Sequence, residues 1–350
     1  MDNQLYRYML RPALFRLEPE SAHHLTLRLL RLAAAIPLVL PLLRRFFAPR
    51  QTGRPVNLFG LTFPNPVGLA AGYDKEGEVI PGLSSLGFGH IEIGTITPRP
   101  QPGNPSPRIF RLPPEQAVIN RMGFPNRGAQ SGITHLRRLS SKNGILQGTV
   151  LGINLGKNKD TPLENAADDY LQLVKLFAPY AGYLALNVSS PNTPGLRKLQ
   201  NRAALEELLN RVAEERTGLL PGLGHGLPIL VKLAPDLTWP EIDEALAAVE
   251  SSGMDGIIAT NTTVDRVGLV SPSASQAGGL SGAPLCERST AVITYIVRHT
   301  RLPVIGVGGI MTPADAQEKL DAGAGLVQVY TGLIYAGPGL VRDILNHLNR

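Results

Sequence analysis

The chain has 350 residues, of which 43% are hydrophobic and 18% charged, a balance typical of a globular protein rather than a disordered one. This length accommodates one large α/β domain or two ordinary domains. The single cysteine, Cys286, excludes an internal disulfide and a zinc site built from several cysteines. The seven histidines show no metal-binding spacing such as HExxH, so we expect no bound metal.

The positive charge is concentrated at the N-terminus. Residues 1–50 contain eight arginines and three acidic residues, so they carry +5 of the net charge of +6. Attraction to an acidic partner therefore belongs to this segment, and because it contains no nucleic-acid-binding motif we expect no nucleic acid. The longest uncharged apolar run, residues 32–43, contains two prolines and is shorter than the about 20 residues that span a bilayer.

In chain order, the first predicted elements are two amphipathic helices at residues 6–17 and 19–35. An apolar patch at 37–48 and a linker at 49–55 follow. We therefore divide the chain into an N-terminal helical segment, residues 1–50, and a second domain, residues 51–350. The pattern VNLFGLTFPNP at 56–66 predicts a small hairpin that leads into the main sheet.

After the hairpin, short apolar runs alternate with helical patterns. Helical spacing of apolar residues occurs at 205–213 and 241–249, and Thr312 followed by Pro313 predicts a capped helix start. Near-continuous apolar runs are typical of parallel strands that are buried on both faces. The predicted strands are 66–72, 90–95, 151–156, 183–189, 228–234, 256–261, 303–309 and 326–332.

Eight strands that alternate with helices predict an α/β fold of the (β/α)8 TIM-barrel type. An open doubly wound sheet is the alternative, although no GxGxxG follows the first strand. The connection from residue 95 to residue 151 is long and contains TPRPQPGNPSPRIFRL and NRMGF. Long loops in compact domains commonly bind ligands or cover sites, and a proline-rich spacer is the plainer interpretation.

Reactive groups of such barrels lie at the carboxyl ends of the strands. Neutral amides suit a flat polar ring, lysines suit anions, and the glycines after strands 7 and 8 suit a phosphate. Each feature also has a structural explanation: an asparagine can form a turn, a strand lysine can pair with a buried acid, and GVGG can be a tight turn. The strand-end residues are Lys75, Thr95, Asn154, Asn187, Ser190, Asn192, Lys232, Thr260, Asn261, Thr262, Gly308, Gly309, Tyr330 and Thr331.

Ten motifs in order along the chain resemble the dihydroorotate dehydrogenases, specifically the membrane-associated, quinone-dependent class 2 enzymes. The N-terminal EPESAHHL at 18–25 also resembles the class 2 extension. The motifs are AAGYDKEGE (70–78), IEIGTITPRPQPGNPSPRIFRL (91–112), INRMGF (119–124), GINLGKNKDT (152–161), NVSSPNTPGLR (187–197), VKLAPDL (231–237), IATNTT (258–263), GGLSG (278–282), GVGGI (306–310) and VQVYTG (327–332).

The resemblance implies one non-covalent FMN per chain and the oxidation of dihydroorotate to orotate in pyrimidine biosynthesis, with Ser190 as the catalytic base. A proton relay near Thr193 and Phe124 is part of the same implication. FMN-binding residues would be Ala71, Gly72, Tyr73, Asp74, Lys75, Thr95, Asn154, Asn187, Lys232, Thr260, Gly282, Gly309, Tyr330 and Thr331. Substrate-binding residues would be Lys75, Asn120, Arg121, Met122, Gly123, Phe124, Asn187, Asn192, Asn261 and Thr262.

The resemblance also implies a membrane quinone as electron acceptor, reached along His23, Arg108 and Tyr330. The basic amphipathic segment predicts a peripheral protein on an anionic membrane surface, the cytoplasmic face of the inner membrane. One departure from relatives is Tyr73, where Leu or Phe is common, so its hydroxyl needs a partner. Two other hypotheses stay open at this point: a Schiff-base aldolase or synthase that uses Lys75 or Lys232, and a non-catalytic membrane-surface protein.

Overall fold

The computed structural model describes residues 4–49, 54–140 and 148–349. Much of the predicted linker at 49–55 lies outside these residues. The predicted hairpin is confirmed, because β1 and β2 pair antiparallel with Val56 opposite Phe63. The described strands are β1 (Val56–Leu58), β2 (Leu61–Phe63), β3 (Val67–Leu69), β4 (His90–Ile96), β5 (Ile109–Leu112), β6 (Ala117–Asn120), β7 (Val150–Leu155), β8 (Tyr183–Asn187), β9 (Ile229–Leu233), β10 (Gly256–Ala259), β11 (Gly279–Gly282), β12 (Val304–Val307) and β13 (Leu326–Val329).

The predicted (β/α)8 barrel is confirmed. Strands β3, β4, β7, β8, β9, β10, β12 and β13 close into a barrel in chain order, and every neighbouring pair is parallel. These are the eight predicted strands, most of them shorter at their carboxyl ends than the sequence pattern indicated. The polar residues that ended the patterns therefore lie on the loops at one mouth of the barrel, where the carboxyl ends of parallel strands meet.

The helices surround the barrel, and both predicted helical patterns are confirmed within α7 and α8. Thr312 caps α10 as predicted, since its hydroxyl accepts from the Asp315 amide in a capping box. A π-helical turn, Tyr6–Leu10, runs directly into α1. The helices are α1 (Arg11–Phe15), α2 (Pro19–Ala35), α3 (Val39–Phe47), α4 (Ile80–Ser84), α5 (Ala129–Ser140), α6 (Ala166–Phe177), α7 (Arg202–Leu223), α8 (Trp239–Ser251), α9 (Cys286–His299), α10 (Pro313–Asp321), α11 (Thr331–Ala336) and α12 (Leu340–Leu348).

The long connection between β4 and β7 has its own structure. Its strands β5 and β6 form a three-stranded antiparallel sheet with β11, in which Asn120 at the end of β6 pairs with Gly279. The connection also contains helix α5. The sequence segment is thus an ordered part of the barrel mouth and not a plain spacer.

The N-terminal helices pack against helix α11 and strand β5. The Tyr6 hydroxyl donates to the Ile334 carbonyl at 2.7 Å, and Arg111 of β5 donates to the Leu17 carbonyl at 2.9 Å. Among the described helices, none alone has the length and apolar composition to cross a bilayer; Pro19–Ala35 and Val39–Phe47 reach them only as a pair that bends by 119°.

The barrel strands alternate between two apolar clusters. In β8, Tyr183 and Ala185 belong to the cluster inside the barrel, whereas Leu184 and Leu186 belong to the larger cluster between barrel and helices. Phe63 of the hairpin packs into the inner cluster. The hairpin also contacts the amino ends of two strands: a Cβ on Gly256 would lie 2.4 Å from the Phe59 ring, and a Cβ on Gly325, just before β13, would lie 2.9 Å from Leu58 Cδ2. The hairpin therefore closes the amino end of the barrel and leaves the opposite mouth for a site.

His90 is a buried titratable group inside the barrel. Its ring packs against Phe63 and Tyr183, with centroids at 5.5 and 6.4 Å. Burial lowers the pKa of His90 from 6.5 to about 3. Because the folded pKa lies below the unfolded one, this group's contribution to stability is complete above about pH 6.5. It is lost as the pH falls toward 3, at up to about 1.4 kcal/mol per pH unit.

We expect His90→Phe to flatten the pH dependence of the free energy of unfolding between pH 7 and pH 4.5. A flat ring is required here, since a Cβ on Gly68 would lie 2.1 Å from His90 Nε2, and phenylalanine retains that shape without the titrating group. Urea unfolding of both proteins at the two pH values measures the difference. Equal pH slopes in the two proteins would refute this assignment.

Candidate active site

A cavity of about 630 Å³ lies at the carboxyl mouth of the barrel and extends beneath the N-terminal helices. Its walls come from the barrel strand ends, from the side sheet of β5, β6 and β11, and from α2 and α3. It brings together most of the predicted site residues. These are His23, Ala71, Gly72, Tyr73, Lys75, Thr95, Asn120, Met122, Gly123, Phe124, Asn187, Ser190, Asn192, Lys232, Thr260, Asn261, Thr262, Gly282, Gly309, Tyr330 and Thr331.

Asn187 is the centre of a hydrogen-bonded amide group at the end of β8. Its Nδ2 donates to Thr95 Oγ1 at 2.9 Å, and its Oδ1 accepts from Asn261 Nδ2 at 3.1 Å. Asn187 also lies opposite Lys232 in the register of β8 and β9. This packing fixes the two amides, so their positions in the cavity wall are set before a ligand arrives.

The loop after β8 carries Ser190. The Ser190 side chain is buried against the cavity, and its Oγ accepts from the Asn192 amide at 3.3 Å. The Asn192 side chain donates to Asn120 Oδ1 at 3.1 Å, which joins this loop to the end of β6. Thr193 is also buried, and its Oγ1 has no hydrogen-bond partner among the described residues. A hydroxyl and two amides therefore face one part of the cavity from two different elements.

A row of aromatic side chains connects α2 to the barrel mouth. The ring of His23 packs on Tyr73 with centroids at 5.1 Å, and Tyr73 packs on Tyr330 with centroids at 6.3 Å. The Tyr73 hydroxyl, whose partner the sequence left open, donates to Thr26 Oγ1 at 3.1 Å. Burial lowers the pKa of His23 well below its usual value, which keeps the ring neutral.

Lys75 is a half-buried cation in the wall beside this row. Its Nζ donates to the Gly72 carbonyl at 2.8 Å. Burial lowers the pKa of Lys75 to about 8, with the nearby Glu20 opposing the shift. Lys75 is therefore still mainly protonated at neutral pH and can attract an anionic ligand.

Four predicted site residues are not part of the cavity lining. The Asp74 carboxylate accepts from the Glu78 and Val79 amides, both at 2.9 Å, and burial raises the pKa of Asp74 to about 6. The Asn154 amide donates to Glu92 Oε1 at 2.8 Å from a fully buried position. These two side chains support the wall and do not form it.

Arg121 and Arg108 are the other two. The Arg121 guanidinium donates to the Pro107 carbonyl and to Gln276, so it faces away from the cavity. The Arg108 guanidinium forks onto Glu20 of α2, with Nη2–Oε1 at 2.6 Å, and also donates to two carbonyls of its own loop. Arg108 therefore fastens α2 to the loop before β5, and its predicted place along the quinone route stays a prediction.

Glu92 in the middle of β4 is a functional candidate that the sequence analysis missed. It is fully buried, and Lys232 Nζ lies 3.6 Å from its Oε1. Gln328 Nε2 and the Tyr183 hydroxyl donate to its Oε2 at 2.9 and 3.1 Å. The sequence signal that could have indicated Glu92 is the alternation in HIEIG. Because successive strand side chains point to opposite faces, His90 and Glu92 lie on the inner face of the strand and the two isoleucines on the outer face.

Among the described parts of the chain, one group of three side chains has its possible metal-ligating atoms close together. Cys286, Asp315 and Glu318 bring their ligand atoms within 4.8 Å of one another. The Asp315 carboxylate already accepts from the Met311 and Thr312 amides at the start of α10, and Lys319 Nζ lies 3.7 Å from Cys286 Sγ. The prediction that no metal is bound stays a prediction.

Comparisons with known proteins identify the family of this chain. The family model for dihydroorotate dehydrogenase matches residues 55–350. Proteins named dihydroorotate dehydrogenase (quinone) from Nitrosomonas eutropha and Acidithiobacillus ferrooxidans are each 51% identical to this chain and cover 97% of it, with 96% and 93% of their own lengths matched. A crystal structure of DHODH from Eimeria tenella in complex with ferulenol has a TM-score of 0.87 at 38% identity, covering 94% of this chain and 90% of that one. The chain belongs to the dihydroorotate dehydrogenase family, and within it to class 2.

Proposed function

We propose that this chain carries out its reaction, the oxidation of dihydroorotate to orotate with a quinone as electron acceptor, on an FMN held in the cavity at the barrel mouth. The reaction follows from membership of the family, whose enzymes are flavin-dependent and act in pyrimidine biosynthesis. The observation that carries the placement is the joint lining of one cavity by amides, hydroxyls, the half-buried Lys75, the buried Lys232 and the glycine loops. The aldolase and non-catalytic hypotheses are set aside by the same membership.

The residues of the cavity fit an FMN. The volume of the cavity, about 630 Å³, is within the range of ordinary cofactor sites, roughly 300–1,000 Å³. Gln328, almost completely buried in the lining, has an Oε1 without a partner among the described residues, so an acceptor is left for a ligand donor. Bound FMN supplies a hydride acceptor for the substrate and an electron donor for the quinone. The chain would hold its ring with Ala71, Gly72, Thr95, Lys232 and Thr260, and its phosphate with Gly282, Gly309, Tyr330 and Thr331.

The substrate is proposed to lie against the amide group and Lys75. Asn120, Asn187, Asn192 and Asn261 offer both donors and acceptors to a flat pyrimidine ring, and Lys75 attracts its carboxylate. Ser190 is proposed to remove the proton from ring carbon 5. The buried Thr193 hydroxyl, which has no partner among the described residues, supports a proton path beside Ser190.

The quinone is proposed to enter between the N-terminal helices. The part of the cavity that α1, α2 and α3 contribute is mainly apolar, as a lipid-dissolved molecule requires. His23, held neutral by burial, and Tyr330 lie along the aromatic row that leads to the barrel mouth. Arg108 has a supporting role in this proposal, since its bond to Glu20 positions α2.

The N-terminal segment is proposed to rest on the cytoplasmic face of the inner membrane as a peripheral attachment. Of the seventeen large apolar side chains that are exposed in the described residues, twelve lie between Leu5 and Phe46. Exposed arginines flank them, among them Arg28, Arg44 and Arg45. An apolar surface beside basic residues is the composition of a segment that lies in the membrane interface.

Gly309→Ala is expected to lose most of the bound FMN. Gly309 has φ +74°, and a Cβ there would lie 2.3 Å from Cys286 Cα and 2.5 Å from Cys286 N. The added methyl must therefore push the loop after β12 away from the start of α9, and with it the proposed phosphate site. Gly218→Ala on α7, where a Cβ meets nothing within 4 Å, is the matched control. Flavin absorbance per protein chain measures the outcome, and stoichiometric FMN in Gly309→Ala would contradict the placement.

The proposed acceptor is tested by turnover with different oxidants. Purified protein is supplied with dihydroorotate and either a short-chain quinone analogue, fumarate or NAD⁺, and orotate formation is recorded. We expect orotate with the quinone analogue and little with the other two. Faster turnover with NAD⁺ or fumarate than with the quinone would overturn the assignment of the acceptor.

A further inference from the structure

We infer that Glu92 is a positioning residue that acts through Lys232: its buried negative charge fixes the lysine and lowers the reduction potential of the flavin. This inference rests on the proposed FMN site and concerns one residue, Glu92, that lies outside the cavity lining. Lys232 lies in the cavity wall and is 5% exposed, whereas Glu92 is 0% exposed and lies beneath it.

The surroundings of Glu92 match an ionised carboxylate. Asn154 Nδ2 donates to Oε1 at 2.8 Å, and Lys232 Nζ lies 3.6 Å from the same oxygen. Gln328 Nε2 and the Tyr183 hydroxyl donate to Oε2. Every neighbour is a donor, and a carboxylate is the form that only accepts. Burial, together with the Glu92 carboxylate, raises the pKa of Tyr183 well above its usual value, so this hydroxyl keeps its proton.

Glu92 is also joined to the residues that face the ligand. Asn154, which donates to Glu92, accepts from Asn187 Nδ2 at 3.2 Å, and Asn187 is in the cavity wall. Gln328 donates to Glu92 with its nitrogen while its Oε1 stays without a partner among the described residues. One buried carboxylate thus orients a lysine and two amides around the site.

The charge of Glu92 has a direct consequence for electron transfer. Reduction adds negative charge to a flavin, and a buried positive lysine favours that form. The Glu92 carboxylate offsets Lys232 in a low-dielectric region, where charges interact strongly. It should therefore keep the reduced form from becoming so stable that electrons pass to the quinone slowly.

Glu92→Gln tests the inference, because glutamine retains the shape and removes the charge. We expect the midpoint potential of the bound flavin to rise. At a fixed redox potential of the solution, the ratio of reduced to oxidised flavin should increase by roughly tenfold or more. Glu92→Asp, which retains the charge, should stay close to the parent. Tyr183→Phe, which removes one hydrogen bond to Glu92, should shift the ratio much less than Glu92→Gln. An unchanged or lowered potential in Glu92→Gln would overturn the inference, because a role limited to holding Lys232 in place predicts those results.

A second measurement requires no flavin. Thermal unfolding midpoints of the apoprotein are compared for the parent, Glu92→Gln, Lys232→Met and the double variant. If the two charges are coupled, each single variant leaves a buried charge without its partner, and the double variant loses less than the sum of the singles. Additive losses would refute the coupling. Absence of flavin from the parent would instead refute the proposed function and leave this cycle interpretable.

Discussion

Ser190→Ala is expected to slow the reduction of bound flavin by dihydroorotate about 10²–10⁴-fold, the usual contribution of a general base. The variant should still bind FMN and orotate, because the amides of Asn187 and Asn261 and the Lys75 cation are held by bonds that do not involve Ser190. Stopped-flow bleaching of the flavin measures the rate. A bleaching rate close to that of the parent would remove Ser190 from the role of base.

Ser190→Cys is the matched variant for this prediction. A cysteine thiol ionises far more readily than a serine hydroxyl, so a thiolate can act as the base at this position. Its rate should lie between those of the parent and Ser190→Ala. The rate should also rise with pH toward the ordinary cysteine pKa of about 8.5. A pH profile of Ser190→Cys identical to that of Ser190→Ala would show that residue 190 does not exchange the proton.

Deletion of residues 1–48 is expected to separate the two half-reactions. The truncated protein should keep FMN and be reduced by dihydroorotate, because the amide group and Ser190 belong to the barrel. It should no longer sediment with anionic vesicles, and it should oxidise slowly with a long-chain quinone, since α2 and α3 form that part of the cavity. Unchanged vesicle binding together with unchanged quinone turnover would contradict the proposal.

A full-length variant controls for the apolar surface that the deletion uncovers. Arg28, Arg44 and Arg45 are exposed, so replacing all three with glutamine leaves the cavity lining in place. Basic residues near an anionic surface contribute about 1 kcal/mol each, so vesicle binding should weaken strongly. If the segment only stabilised the barrel, the variant would bind vesicles as well as the parent does, and the deletion would lower the unfolding temperature or abolish flavin reduction.

The barrel was predictable because its strands are local features of the sequence. Each is a short apolar run that ends in polar residues, and alternation with helices leaves few topologies. The same feature indicated the candidate site, since the polar residues near the strand ends include Asn187, Lys232 and Asn261, which the structure brings to one cavity.

Residues whose roles depend on contacts with partners far away in the sequence could not be predicted from the strand ends. Glu92 lies in mid-strand, and its contacts to Lys232 and Gln328 exist only once β4, β9 and β13 are closed into one barrel. The structural explanation of Lys232 as a strand lysine paired with a buried acid agrees with its contact to Glu92. Lys232 also lies in the cavity wall. The partner of Arg108 is Glu20, 88 residues earlier in the chain, and no spacing rule connects them.

The sequence predicted only one of the two reasons why position 309 requires a glycine. The sequence suggested close approach of the backbone to a phosphate. The structure adds that the glycine has φ +74° and packs on the backbone of Cys286 at the start of α9. Such packing depends on where a later loop and an earlier helix meet, and the GVGG pattern alone does not specify it.

The visible absorbance spectrum of the purified full-length protein, before and after anaerobic addition of dihydroorotate, tests the proposed FMN chemistry most directly. We expect an oxidised flavin spectrum with one FMN per chain, identified after release by heat, and bleaching of that spectrum by dihydroorotate. Subsequent addition of a quinone should restore the absorbance. A protein without flavin absorbance, or a flavin that dihydroorotate leaves oxidised, would contradict it.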